Sequence, residues 1–373
     1  MCSIIVLATL LISFGASTTA KELEKTQKAA ESPVDDLTTL CDDLAFGLYA
    51  NLGAERPGKN LLFSPLGLVS ALVKLARLSH AHTRSEILDA LGLGNRTEAA
   101  VERALSALRA LETSLAEQKV DAQLDIQTTL PLNSSNQETG EKERPHQVER
   151  VPSTTESSDK VTLTNIVHFK GKWEQPFDSR QTVKWRFQAG GGEVVEVPMM
   201  FRDDSEELRM LYDTNCSTTV VGLPYSGRLA SLLLLPRTEL RTLELCLSIS
   251  KMNFWLSNLK TGLAEIRFPK FAMKKLYTLE SLLKSTGVQS IFSKSANLAD
   301  HLEEKDLDLS QALHEVELVV DETKSKERGT SDVTLGFSEP HRIVFDRPFI
   351  IIVYDEITGF IVLIGKILDP TEE

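Results

Sequence analysis

Near its C-terminus the chain reads Ile343-Val344-Phe345-Asp346-Arg347-Pro348-Phe349-Ile350-Ile351-Ile352-Val353. Phe345 and the run from Phe349 to Val353 are aromatic or β-branched, and the run follows a proline that cannot sit inside a ladder. Together these features predict a buried strand. The segment ahead of it, Glu322 to Pro340, is polar and has no apolar core of its own, so it reads as an exposed connection. What the chain does turns on that connection.

Working outward, 373 residues with 42% hydrophobic content can bury a large core, as one extended domain or two smaller ones. Asp and Glu outnumber Lys and Arg by 53 to 41, a net charge of −12, which argues against nucleic acid or an anionic membrane as partner. Ile4 to Phe14 form an apolar run followed by small residues, with Thr18 and Ala20 set as a cleavage site. Residues 1–20 therefore read as a signal peptide, too short to span a bilayer, and no later segment is long and apolar enough to do so. Sequons at Asn95, Asn133 and Asn215 fit a secreted, extracellular glycoprotein. Loss of the leader would remove Cys2 and leave Cys41, Cys216 and Cys246, an odd number from which no disulfide framework follows. Cys41 reads as a small core residue on a helix.

After a charged, disordered lead over residues 21–32, Leu37, Leu40, Cys41, Leu44, Leu48 and Leu52 recur at helical spacing. A second helix is expected from Ser64-Pro65, with a hydroxyl cap and proline in the first turn. A third is expected from Thr83, with Thr83 and Glu86 as a capping box, and a fourth through Val101, Leu105, Leu108 and Leu115. Val120 to Leu130 then alternate as a strand. Residues 131–160 hold only Leu132, Val148 and Val151 as hydrophobics and read as loop or disorder. Strands are expected over Val161–Phe169, Val183–Phe187, Val194–Met200, Leu208–Tyr212, Thr218–Leu223, Leu229–Leu235 and Glu265–Phe271. Helices return over Glu239–Leu256 and Leu276–Ser285. Gly190-Gly191-Gly192 lies between two strands and reads as a hairpin turn, since a phosphate cradle would need a following helix and a Lys-Ser/Thr pair.

The C-terminal string resembles the serpin family at each constrained position. Phe63-Ser64-Pro65, Phe169-Lys170-Gly171-Lys172-Trp173 with Pro176-Phe177, Val197-Pro198-Met199-Met200, Leu223-Pro224-Tyr225, Phe268-Pro269-Lys270-Phe271 and Asn297-Leu298 follow in the family's order. The set is most similar to the secreted antitrypsin-like branch, which also includes hormone carriers. The resemblance implies an α+β serpin-like fold over residues 33–373, with N-terminal helices, large mixed β-sheets and an exposed reactive-centre loop. It also implies that Ser64, Asn165 and His314 form the shutter, the polar cluster beneath the point where the main sheet opens. The central module is reduced: inhibitory relatives carry further helices and an edge strand where this chain has residues 131–160.

An inhibitory serpin works as a spring, in which the cleaved loop inserts into the sheet as a new strand and drags the acylated protease away. Alternate residues of that strand face the core and must be small or apolar. Counted from Glu322, which matches the start of the family's hinge, the inward set is Ser325, Glu327, Gly329, Ser331, Val333 and Leu335. Glu327 is the misfit, since neutralising its carboxyl at pH 7.4 costs about 4 kcal/mol from a reference pKa near 4.3. Lys324, Lys326 and Arg328 lie on the outward face, where they read as a mixed-charge solvated loop. Counting from the two ends places the reactive bond at Phe337-Ser338 or Ser338-Glu339, and Phe337 suits a chymotrypsin-like pocket.

No hydrolase, nucleotide-loop or metalloprotease motif is present, so an enzyme is not expected and no cofactor is implied. His80-x-His82 reads as a turn before the third helix rather than a metal site. The expectation is a monomeric secreted serpin with weak or no protease inhibition, acting as a carrier or binding protein. The alternative is a suicide inhibitor of chymotrypsin-like preference. The partners implied are an extracellular serine protease or a small hydrophobic ligand.

Overall fold

The computed structural model describes residues 33–117, 122–129, 160–293, 296, 308–323 and 341–372. The leader, the lead over 21–32, all but Lys160 of the segment 131–160, and the Cys41 side chain lie outside the described part. Four helices come first: α1 (Pro33–Glu55), α2 (Pro65–Leu78), α3 (Ala81–Ala90) and α4 (Glu98–Glu117), with the short strand β1 (Leu61–Phe63) after α1. Ser64 caps α2 by accepting the Gly67 N–H at 2.9 Å, and Pro65 takes the first helical position, where its missing donor costs nothing. Most of α2 is buried, because it lies under the sheet strands rather than on the surface.

Two sheets hold the rest. The four-stranded sheet runs β2 (Ala122–Thr129), β3 (Lys160–Gly171), β10 (Asp308–Val320), β9 (Phe271–Thr278). Its central pair, β3 and β10, is parallel, and the outer pairs are antiparallel. The nine-stranded sheet runs β1, β13 (Ile361–Ile367), β12 (Phe349–Asp355), β7 (Leu229–Pro236), β6 (Thr218–Pro224), β5 (Val194–Asp213), β8 (Lys260–Pro269), β11 (His341–Val344), with β4 (Val183–Gln188) on β5. Strand β5 links both halves, pairing with β4 over Val194–Met199, with β8 over Met199–Met210 and with β6 over Arg209–Asp213. Helices α5 (Leu240–Glu244), α6 (Ile249–Asn258) and α7 (Glu280–Ser285) complete the order.

The C-terminal run is divided by Pro348: Ile343 and Val344 end β11 at the sheet edge, while Phe349 begins the central strand β12. Every residue of β12 and β13 is buried, which explains an apolar run without alternation. Asp355, at the end of β12, is fully buried and forms a two-pronged ion pair with Arg228. Gly190 to Gly192 form the β4–β5 hairpin, with Gly192 at φ 87°.

Four sequence expectations are corrected. Helix α3 begins at Ala81, so Thr83 and Glu86 lie inside it and form no capping box. Glu86 instead accepts the backbone N–H groups of Gln289 and Ser290 at 3.0 and 2.8 Å, and Thr83 meets the Ser290 hydroxyl at 2.9 Å. The expected helix Glu239–Leu256 is two helices, broken where Ser248 caps α6 through the Lys251 N–H at 3.2 Å. Leu276 to Thr278 end the strand β9, whose inward positions Phe271, Met273 and Tyr277 alternate around Lys275. Finally, Cys216 and Cys246 are joined in a disulfide, with Cα atoms 6.1 Å apart. The odd cysteine count hid this pair.

Candidate functional site

The parallel pair β3–β10 lies at the centre of the four-stranded sheet, and β10 ends at Val320, two residues before Glu322. Register lines up one residue from each strand across this pair. Thr128 faces Asn165, Asn165 faces His314, and His314 faces Tyr277. The Ser64 backbone N–H donates to His314 Nε2 at 3.0 Å, which fixes the proton on Nδ1, and Nδ1–H donates to Asn165 Oδ1 at 2.7 Å. Asn165 Nδ2 then donates to Thr128 Oγ1 at 2.9 Å, and Ser64 Oγ donates to the Val362 carbonyl at 2.7 Å.

The three residues Ser64, Asn165 and His314 are thus brought together, each fully buried, in one network that ties β2, β3, β10, the α2 N-terminus and β13. Burial lowers the His314 pKa to about 3, so the ring is neutral at physiological pH. Tyr277 stacks beside His314 at 6.4 Å and its hydroxyl accepts the Leu62 N–H at 3.3 Å. Gly67 allows this approach of helix to sheet, since a Cβ there would lie 2.6 Å from Val167 and 2.7 Å from Asn165 Oδ1. Sequence reading missed Thr128 and Tyr277, which only strand register places in the row.

A second cluster holds the base of the connection. Glu322 accepts from Thr182 Oγ1 and from Lys270 Nζ, each at 2.8 Å. Burial works to raise the Glu322 pKa, but the hydrogen bonds from Lys270, its own backbone and Thr182 outweigh it and hold the carboxyl below its usual range. Trp173 donates its indole N–H to the Asp321 carbonyl at 2.9 Å and its backbone N–H to Thr323 Oγ1 at 3.1 Å. Lys170 pairs with Asp321 at 2.6 Å. Trp173 is itself clamped by Tyr225, stacked at 4.4 Å, and by Phe177, edge-on at 5.9 Å. Thr323 adopts φ 40°, a strained turn for a β-branched residue, where the chain leaves the sheet. The motifs containing Trp173 and Lys270 were visible in the sequence, but their shared contact with residues 321–323 was not.

Of the hinge residues only Glu322 is placed; Lys324, Ser325, Glu327 and Gly329, and the reactive-bond residues Phe337, Ser338 and Glu339, lie outside the described part. Asn95 and Asn215 are exposed on turns, and Asn133 is not described. A separate cleft of about 480 Å³ opens between α2, α4 and β2, with Val73, Leu115, Leu124 and Ile126 on its apolar walls. Glu112 lines it, and burial raises the carboxyl's pKa.

The fold thus combines a mixed sheet with a parallel central pair, a buried polar row beneath that pair and, at its head, a chain segment held through Asp321, Glu322 and Thr323. The family model described as Serpin (serine protease inhibitor) matches residues 39–151 and 136–370, and the chain belongs to that family. The alpha-1-antiproteinase 2 of Equus caballus is 28% identical, with 95% of this chain and 91% of that protein covered. The plasma serine protease inhibitor of Bos taurus is 27% identical, with 88% and 90% covered. The crystal structure of human thyroxine-binding globulin complexed with thyroxine superposes with a TM-score of 0.75 at 25% identity, covering 91% of this chain and 100% of that one. Uncleaved ovalbumin shares the fold at a TM-score of 0.76 and 20% identity, covering 90% and 100%.

Proposed function

We propose that this serpin is a secreted binding or carrier protein whose loop is cut by proteases without trapping them. The observation that carries the reading is the layer the loop would have to enter. Between β3 and β10 the inward side chains Leu163, Val167, Phe169, Ala312, Val316 and Leu318 are buried and apolar, and the two inward polar residues, Asn165 and His314, are already paired with each other. An inserted strand in the register counted from Glu322 turns the Glu327 carboxylate toward that layer, where burial of an unpaired charge is costly. The ladder from Asp308↔Lys160 to Val319↔Lys170 must also be separated first. Among the described residues β2 is the edge of the sheet, so the entering strand gains less support than in a wider sheet.

Secretion is supported by the disulfide, a bond that persists in oxidising compartments, and no helix among the described residues is long and apolar enough to cross a membrane. The cleft beside α4 has the volume of a small-ligand site, with Lys74, Arg109, Glu112 and Asp125 beside its four apolar residues, so a ligand held there would carry polar groups as well as an apolar part. The relative complexed with thyroxine adds weight to a carrier role. The second reading, a suicide inhibitor of chymotrypsin-like preference, is favoured by one feature, the intact latch on Glu322. Incubation with chymotrypsin separates the two. Cleavage near Phe337 or Ser338 with no SDS-stable adduct is the expected result, and a covalent complex at comparable stoichiometry would overturn the proposal.

A further inference from the structure

The sequon Asn215-Cys216-Ser217 has a disulfide-bonded cysteine as its middle residue, and its whole backbone is tied down in the turn between β5 and β6. Asp213, itself buried, accepts the backbone N–H groups of Asn215 and Cys216 through Oδ1 at 3.0 and 3.3 Å. Its other oxygen is held by Trp255 Nε1 and Lys251 Nζ, each at 2.7 Å, so the aspartate cannot swing away. Burial works to raise the Asp213 pKa, but these donors hold it below the usual carboxylate range and keep it charged. The Cys216 carbonyl accepts Thr218 Oγ1 at 2.8 Å, and the Ser217 carbonyl accepts the Arg237 N–H at 2.7 Å. Ser217 adopts φ 47°. The Asn215 side chain nevertheless faces solvent.

These facts separate two states. A glycan on Asn215 is compatible with the folded chain, because the residue is exposed. Glycan transfer is not, because the transferring enzyme must reach both the asparagine amide and the hydroxyl two residues on in an opened, extended sequon. Here the left-handed Ser217 and the tether at Cys216 hold the segment in a tight turn.

We infer that Asn215 is a conditional glycosylation site, in which closure of the Cys216–Cys246 disulfide ends access to the sequon and the two covalent modifications compete in time. In the first, Asn215 Nδ2 attacks the anomeric carbon of a lipid-pyrophosphate-linked oligosaccharide. The new C–N bond replaces the C–O bond to pyrophosphate, the amide loses one proton, and the lipid pyrophosphate leaves. In the second, the Cys216 and Cys246 thiols give two protons and two electrons to the disulfide of an exchanging oxidoreductase, which leaves as a dithiol. Cys246 follows Asn215 by 31 residues. At about 5–20 residues per second, synthesis gives glycan transfer a lead of roughly 2–6 s before the second thiol exists. Occupancy at Asn215 is therefore partial and tracks the rate of oxidation.

The inference rests on the secretory reading only in that the chain must meet both enzymes. The exposed sequon at Asn95, which has no disulfide near it, is the internal control. The full chain is expressed in mammalian cells behind its own leader and, in parallel, behind a heterologous one, and glycopeptides from the intracellular pool are quantified by mass spectrometry. In the wild type, Asn215 is expected to be less occupied than Asn95. Cys246→Ser, or a brief dithiothreitol pulse on the wild type, raises Asn215 occupancy by about twofold or more and leaves Asn95 unchanged. The pulse needs no variant that folds. Equal Asn215 occupancy in wild type, variant and pulsed cells, with Asn95 occupied, would overturn the inference. Asn95 empty behind the native leader but occupied behind the foreign one would instead overturn the secretory reading, and the comparison at Asn215 is then read from the second set.

Discussion

Replacing His314 with alanine is expected to lower the unfolding free energy by about 3–5 kcal/mol, because it leaves the buried Ser64 N–H and Asn165 side chain without their shared partner and opens a cavity. The wild type carries a matching pH signature. The folded-state pKa of about 3 lies well below the reference value near 6.5, so the unfolded chain binds the proton first. Stability from this group is full above pH 6.5 and is lost as pH falls from 6.5 toward 3, at up to about 1.4 kcal/mol per unit. By pH 5 the loss is about 2 kcal/mol. Glu86, Asp213 and Glu322, whose pKa values are lowered, shed stability only below the ordinary carboxylate range, while Glu112, whose pKa burial raises, adds stability as pH falls, so the difference between wild type and His314→Ala isolates the histidine between pH 7 and 5. Urea melts of wild type and His314→Ala at pH 7.5 and 5.0 check this. The wild-type loss should shrink sharply in the variant, and an equal loss in both would mean the network does not hold a neutral ring.

Glu327→Ala carries the largest expected effect on rate. If a desolvated carboxylate sets the insertion barrier, removing it restores about 4 kcal/mol at pH 7.4 and speeds insertion of the cut loop on the order of a thousandfold. Acid should do part of the same work for the wild type, since neutralising the carboxyl at pH 5 costs only about 1 kcal/mol. The variant should show little such acceleration. Protease trapping is expected to remain incomplete even so, because the edge strand that widens the sheet in inhibitory relatives has no counterpart among the described residues. The rate can be followed by emission from Trp173, whose indole is bonded to the residues that move. Unchanged rates in Glu327→Ala would shift the cause from the carboxylate to the sheet.

The chemistry legible in the sequence was local or periodic. Ser64-Pro65 announced a helix start because a hydroxyl cap and a proline need only their own turn to act. The alternation from Ala122 to Thr129 gave a strand because one face is buried and the other is not. Thr83 and Glu86 misled for the opposite reason: both satisfy donors and hydroxyls more than two hundred residues away, near Ser290, and local spacing carries no trace of that. Lys275 broke the apolar alternation of β9 and made its end look helical. At the site, Ser64, Asn165 and His314 could be named from family motifs, but the row through Thr128 and Tyr277 depends on strand register, which one sequence does not encode visibly. The Cys216–Cys246 pair was hidden by an odd count, since pairing depends on which turns the fold brings together.

The most direct test of the account is to cut the wild-type loop near Phe337 or Ser338 and compare thermal unfolding before and after. A serpin that inserts its loop gains a central strand between β3 and β10, with new ladder bonds and apolar contacts, and becomes far harder to melt. The account predicts a midpoint for the cleaved protein within a few degrees of the intact one at pH 7.4. A large upward shift on cleavage would contradict it and identify a working spring.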